Sequence, residues 1–146
     1  MMQPNRSIDM QALTIWQPWA TLIAVGAKQF DTLDWRTDHR GGPAIHAGKP
    51  WEEDQIRPCY EEPFRTVLKQ AGFENAKELP RGAVVARCEL QDIRKTERLD
   101  RELIGPYESE FGDFSPGRYA WRLTVKERCD PPKPASGKPG LWRWTP

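Results

Sequence analysis

The chain has 146 residues, 38% apolar and 29% charged, with seven Trp and a formal net charge of +1. That length favours one domain with a core large enough to need neither disulfide nor metal staples, and the aromatic content excludes a disordered chain. The longest apolar run, Ala20 to Ala27, is broken by Thr21 and Gly26 and falls well short of the roughly 20 residues of a bilayer span, which excludes a membrane helix.

Residues 1–12 read as a flexible, polar N-terminal arm. It lacks the basic start and apolar stretch of a secretory signal, so a cytoplasmic protein is expected. Residues 13–146 then form a single domain. Leu13-Thr14-Ile15 predicts a short buried strand entering the turn Trp16-Gln17-Pro18. A two-turn helix follows: Pro18 suits its first position, Trp19, Leu22 and Ile23 recur at i, i+3 and i+4, and Gly26 supplies the left-handed residue that ends it. The free N–H groups at its start, beside Trp16 and Gln17, are a candidate contact for an anion or a base edge.

From Gln29 to Trp35 the alternation predicts a strand with Asp31, Leu33 and Trp35 on one face and Phe30, Thr32 and Asp34 on the other. Arg36 to Gly42 is a basic loop, and Ala44 to Ala47 another strand with Ile45 and His46 on opposite faces. Trp51 to Glu62 reads as an acidic short helix or loop, and Phe64, Val67, Leu68 and Ala71 mark an amphipathic helix closed by Gly72. Two strands are evident in the alternating runs Val84 to Gln91 and Tyr119 to Lys126. Between them Thr96 is expected to cap a short helix through Ile104, with Leu99 and Leu103 stacked, and the rest of that interval is expected to be loop. After a Pro-rich stretch, Leu141 to Trp144 returns as a last strand. Strands outnumber helices without strict alternation, which points to an α+β fold: a small β-barrel of about 5–6 strands with short helices around it.

Cys59, Cys88 and Cys129 have no Cys-x-x-Cys or short His/Cys spacing, which disfavours disulfides and zinc. Cys88 and Cys129 read as small apolar fillers. Charge is segregated: residues 52–114 hold 10 Lys/Arg against 15 Asp/Glu, a balance of −5, and residues 115–146 hold 7 against 2, a balance of +5. The basic end either meets an anionic partner or faces the acidic middle across the fold.

One long composite motif is specific. Leu13-Thr14-Ile15-Trp16-Gln17-Pro18-Trp19-Ala20 is followed by Leu22-Ile23, Gly26-x-Lys28, Trp35-x-Thr37-x-x-Arg40-Gly41 and Ile45-His46-Ala47. Further on come Gly82-Ala83-Val84-Val85, Pro116-Gly117-Arg118-Tyr119-Ala120-Trp121 and Gly137-Lys138 with Gly140-Leu141-Trp142. Over about residues 13–144 the chain resembles the ASCH domain, the activating-signal-cointegrator homology family. The resemblance implies a PUA-like barrel with a cleft between barrel and helices, and a link to RNA or other nucleic acids. Some similar proteins are hydrolases, either amidohydrolases acting on an N4-acetylated cytidine nucleoside or enzymes cutting single-stranded RNA with magnesium. Fold alone does not choose between these. Where the family pattern has Glu and Arg, this chain has Asp31 and Leu33, and where the amidohydrolases have Thr it has Asp31.

Lys28, just past a helix end, either complements the helix dipole or is a cleft ammonium that binds phosphate or acts as a base. Arg36, Arg40, Lys49, Arg118 and Lys138 fall in loops or at strand ends, where phosphate-positioning groups sit, and each is otherwise a solvated charge or an ion pair. His46 reads first as a structural histidine and second as a binding residue, and His39 as exposed. Trp16 and Trp35 are the stacking candidates, with Trp19 and Trp121 assigned to the core.

The leading expectation is a module that binds single-stranded RNA or a modified nucleoside or nucleotide in a basic cleft lined by Lys28, Arg40, Arg118 and Lys138, with no cofactor. The alternative is a small hydrolase with Lys28 and Asp31 as its catalytic pair, using Mg²⁺ if it is a ribonuclease. A third is an adaptor whose cleft takes a protein partner. No membrane partner is expected.

Overall fold

The computed structural model describes residues 10–38 and 40–146. Residues 1–9 of the expected arm, and His39, lie outside the described residues. Met10, Gln11 and Ala12 are not arm: they pair with Trp144, Arg143 and Trp142, so the first strand, β1, runs Met10–Ile15. Ala12 is fully buried in a cluster with Trp142 and Trp144, which holds the strand down at that end.

The remaining elements are α1 (Trp19–Ala24), β2 (Phe30–Leu33), β3 (Ala44–Ala47), α2 (Glu53–Ile56), α3 (Phe64–Gln70), β4 (Ala83–Lys95), α4 (Glu108–Phe111), β5 (Tyr119–Pro134) and β6 (Leu141–Trp144), with short 3₁₀ turns among them. The architecture is α+β: one six-stranded mixed sheet in the order β2-β5-β4-β3-β1-β6 and a few short helices. Only β1 and β3 are parallel, Ala12 lying opposite Ala44 and Ile15 opposite Ala47. β4 and β5 form the spine, and three register shifts along their pairing let such long strands bend. No helix among the described residues is long and apolar enough to cross a membrane.

The main core lies between α1 and the sheet, where Leu13, Ile15, Ile23, Val85, Ala86 and Trp121 meet. A second apolar cluster, Leu22, Cys59, Phe64, Leu68, Leu79 and Phe111, fastens α3 and α4 to the other side of α1. Trp19 packs against both clusters and is only partly buried, so it is less a core residue than the sequence predicts. Gln17 is fully buried: its Oε1 accepts from Thr21 N at 3.0 Å, and its Nε2 donates to Thr21 Oγ1 at 2.8 Å and to Pro80 O at 2.7 Å. The Ala20, Thr21 and Leu22 N–H groups at the start of α1 are thus partnered from within, by Trp16 O, Gln17 Oε1 and Pro18 O.

Residues 96–104 depart from expectation. In place of one helix there are two 3₁₀ turns, Thr96–Arg98 and Arg101–Leu103, and Leu103 is 45% exposed while Leu99 is buried. The Thr96 hydroxyl donates to Ser115 O at 2.8 Å and its N–H to Arg118 O at 3.0 Å, so the residue joins the two ends of the β4–β5 connection and caps nothing. That connection also contains α4, where the sequence predicts loop. The basic β5 lies antiparallel to β4, with Arg87–Glu127 at 3.6 Å and Lys126–Glu89 at 3.7 Å. Lys126–Glu89, with Arg118–Asp113 at 3.7 Å, joins the basic end to the acidic middle, whereas Arg87–Glu127 pairs a cation of the middle with a carboxylate of the basic end.

Candidate functional site

A cavity of about 550 Å³ opens where the end of β1, the start of α1, β2, the start of α3 and the segment 110–118 meet. Trp16, Trp19, Phe64 and Phe111 supply its aromatic walls, and Lys28, Asp31, Arg118, Glu110 and Asp113 its ionisable groups. Trp16 stands at the rim, 51% exposed.

Local sequence carries Lys28 inward. Gly26 adopts φ +81°, a conformation that costs an L side chain energy, and the reversal lets the Ala27 and Lys28 N–H groups both donate to Leu22 O at 3.0 Å. The chain then enters β2 with the Lys28 side chain only 2% exposed and its Nζ donating to Phe30 O. Burial pushes the Lys28 pKa below its usual value, against the pull of the Asp31 and Glu108 carboxylates. Asp31 sits opposite Trp121 of β5; loss of water pushes its carboxyl above the usual carboxylate range, against the Lys28 and Arg118 cations.

Arg118, just before β5, donates through Nη2 to Thr32 O at 2.8 Å, and its Nε lies 3.7 Å from Asp113 Oδ2. It ties β2 to the wall of the cavity formed by residues 112–118. Thr32 alternates with Asp31 on the strand as predicted, yet both line the cavity, because β2 is the terminal strand of the sheet order and the cavity wraps around it. Glu108 is a residue the sequence reading missed. It is 6% exposed, its Oε2 accepts from Gln29 N at 2.6 Å, and its Oε1 has no hydrogen-bond partner among the described residues. Burial raises its pKa, with the Gln29 N–H bond and Lys28 opposing. Nothing in the run Tyr107-Glu108-Ser109-Glu110 marks one glutamate as buried; only the docking of α4 does.

Lys28, Asp31 and Glu108 thus form a group in which burial opposes charge on every member. Such groups exchange protons at modest cost, the requirement for general acid–base chemistry. Among the described residues no three His, Cys, Asp or Glu side chains converge as a metal site, the charged neighbours of Asp31 being a lysine and an arginine.

Of the sequence-predicted site residues, Trp16, Lys28, Asp31 and Arg118 line this cavity and the others do not. Trp35, partly buried, packs edge-to-face on Trp121 with ring centroids 4.8 Å apart, and its carbonyl accepts from Trp121 Nε1 at 3.1 Å, which sets it against the edge of the core and away from the cavity. Arg36 pairs with Asp38 at 3.1 Å, and exposed Arg40 donates to Thr37 O at 3.2 Å. The Lys49 stem lies beside Gly82. His46 is buried, its Nε2 2.7 Å from Ala135 O and its Nδ1 3.1 Å from Thr14 Oγ1, with Trp142 edge-to-face at 5.3 Å. Both ring nitrogens are thus engaged within the fold, away from the cavity lining. The exposed Lys138 touches the site through its backbone alone, its carbonyl accepting from Thr14 Oγ1 at 3.1 Å. The expected basic cleft is therefore not assembled: two cations face three carboxylates, because the other basic residues sit on loops that leave the cavity.

No family model matches the chain, and neither does any curated protein.

Proposed function

We propose that this chain is an ASCH-type domain, its sheet coiled in the PUA-like manner, whose cavity holds one nucleobase or modified nucleoside, free or as a single residue of an RNA strand. What supports the reading is the cavity itself, where aromatic walls face a polar floor made by Lys28, Asp31 and Arg118. Its volume of about 550 Å³ falls within the roughly 300–1,000 Å³ of small-ligand pockets. A base offers two π faces and an edge of donors and acceptors; stacking on an aromatic ring is worth about 1–3 kcal/mol, and Asp31 and Arg118 supply an acceptor and a donor for the edge. The three carboxylates in the lining disfavour a row of phosphates, so the ligand is read through its base and sugar.

The grouping of Lys28, Asp31 and Glu108 favours a second reading, in which the domain hydrolyses an acyl group from such a nucleoside, with Lys28 as base or electrostatic stabiliser and Asp31 orienting it. One set of measurements tests both. Calorimetry with cytidine, N4-acetylcytidine and a single-stranded RNA, at low and high salt and with Mg²⁺ or chelator, is expected to show nucleoside binding that changes little with salt and is lost in Asp31→Asn. RNA binding with a log–log salt slope near −0.7 per phosphate, without nucleoside binding, would overturn the cavity as the site. Release of acetate or cleavage of RNA, absent in Lys28→Met, distinguishes the enzyme from the binder.

A further inference from the structure

We propose that Lys28 is also a reactive amine that captures small, flat aldehydes or ketones in the cavity as an imine. This goes beyond the binding and hydrolysis readings, neither of which needs a covalent bond to the protein.

The placement of Nζ carries the inference. Lys28 is buried, whereas the other seven lysines of the chain, Lys49 and Lys138 among them, are all exposed. The ion pairs among the described residues, from Arg36–Asp38 to Lys126–Glu89, do not include it. A lysine buried to hold structure is normally paired with a carboxylate at contact distance. The one hydrogen bond here goes to Phe30 O, which leaves the other faces of the amine available. On one of those faces lies Gly112, where a Cβ would stand 3.5 Å from Nζ and 3.6 Å from Thr32 Oγ1. The glycine therefore keeps side-chain atoms away from that approach. The aromatic rings of Trp19, Phe64 and Phe111 give a flat carbonyl compound an apolar seat in the same cavity.

The groups facing Lys28 supply the proton traffic. Asp31 and Glu108 act on Nζ, Arg118 acts on Asp31, and Glu110 and Asp113 line the same cavity. Burial favours the neutral, nucleophilic amine, and it favours the protonated form of Asp31. In the reaction the Nζ lone pair attacks the carbonyl carbon and the C=O π electrons move to oxygen, which takes one of the two Nζ protons to give a carbinolamine. Asp31 then protonates the hydroxyl, which leaves as water while the nitrogen lone pair forms C=N. The nitrogen's remaining proton returns to the Asp31 carboxylate. Amine and carbonyl become imine and one water, with no change of oxidation state.

The test uses the full chain with 4-nitrobenzaldehyde near neutral pH, trapping by cyanoborohydride and peptide mapping of the adduct. Lys28 is expected to label at least about tenfold faster than any exposed lysine, since an ordinary lysine is almost wholly protonated there. Gly112→Ala, at an extended backbone position that accepts alanine, is expected to slow labelling of Lys28 severalfold while the circular dichroism and the urea midpoint of the folded protein persist. Labelling of Lys28 no faster than that of Lys49 or Lys138 would overturn the proposal, and so would a Gly112→Ala protein labelled at the wild-type rate. Neither result bears on the nucleoside reading, which calorimetry decides separately.

Discussion

At the scale of single residues, Lys28 sets the chemistry of the cavity and leaves a signature in stability. Its folded pKa lies below its unfolded value of 10.5, so between the two the unfolded chain holds more protons. Stability contributed by this group therefore rises with pH through that window and levels off near 10.5. Lys28→Met has no proton to lose. Urea-unfolding midpoints at about pH 7 and about pH 10 should show the wild type gaining on the variant as pH rises. A constant difference would mean that Lys28 stays charged in the fold. Lys28 and Asp31 were legible as site candidates from the family pattern that the stretch after Gly26 resembles. Glu108 was not, because its burial comes from a contact with Gln29 across 79 residues of chain.

At the scale of elements, the cavity depends on how α4 is pinned. The helix has only four residues, too few to be stable alone. Phe111 anchors it, buried and edge-to-face with Phe64 at 4.9 Å. Phe111→Ala should cost about 3–5 kcal/mol in denaturant unfolding with little change in the denaturant slope. It also removes a wall of the cavity, so nucleoside affinity should fall even in conditions where the protein stays folded. The neighbouring stretch 96–104 shows why short apolar spacing misleads. Leu99 and Leu103 are correctly spaced for one helix face, but Thr96 is drawn to Ser115 and Arg118, and that tertiary contact outweighs a helix of two turns. β3 and β6 were easier to read, since alternation and turn residues act within a few positions.

At the scale of the whole molecule, the three cysteines report on how the sheet and helices close together. All are free and buried, and burial pushes Cys59 up to about 11 and Cys88 up to about 12. A thiol reagent such as a disulfide dye at mild pH should therefore find no fast-reacting site in the native protein and three after denaturation, its rate following unfolding. A rapid first equivalent would show local opening near the thiol it modifies. The sequence by itself determined most strand positions, the α+β class and the inward turn at Gly26, because periodicity, glycine geometry and proline placement act over a few neighbouring residues. Only the tertiary structure decided which charges share a cavity. Arg118 reaches Thr32 across 86 residues, while Arg36 pairs with Asp38 and Arg40 donates to Thr37 O, both a few residues away. Charge along a chain says how many basic groups exist, and burial between distant segments says which of them lose water and become chemically useful.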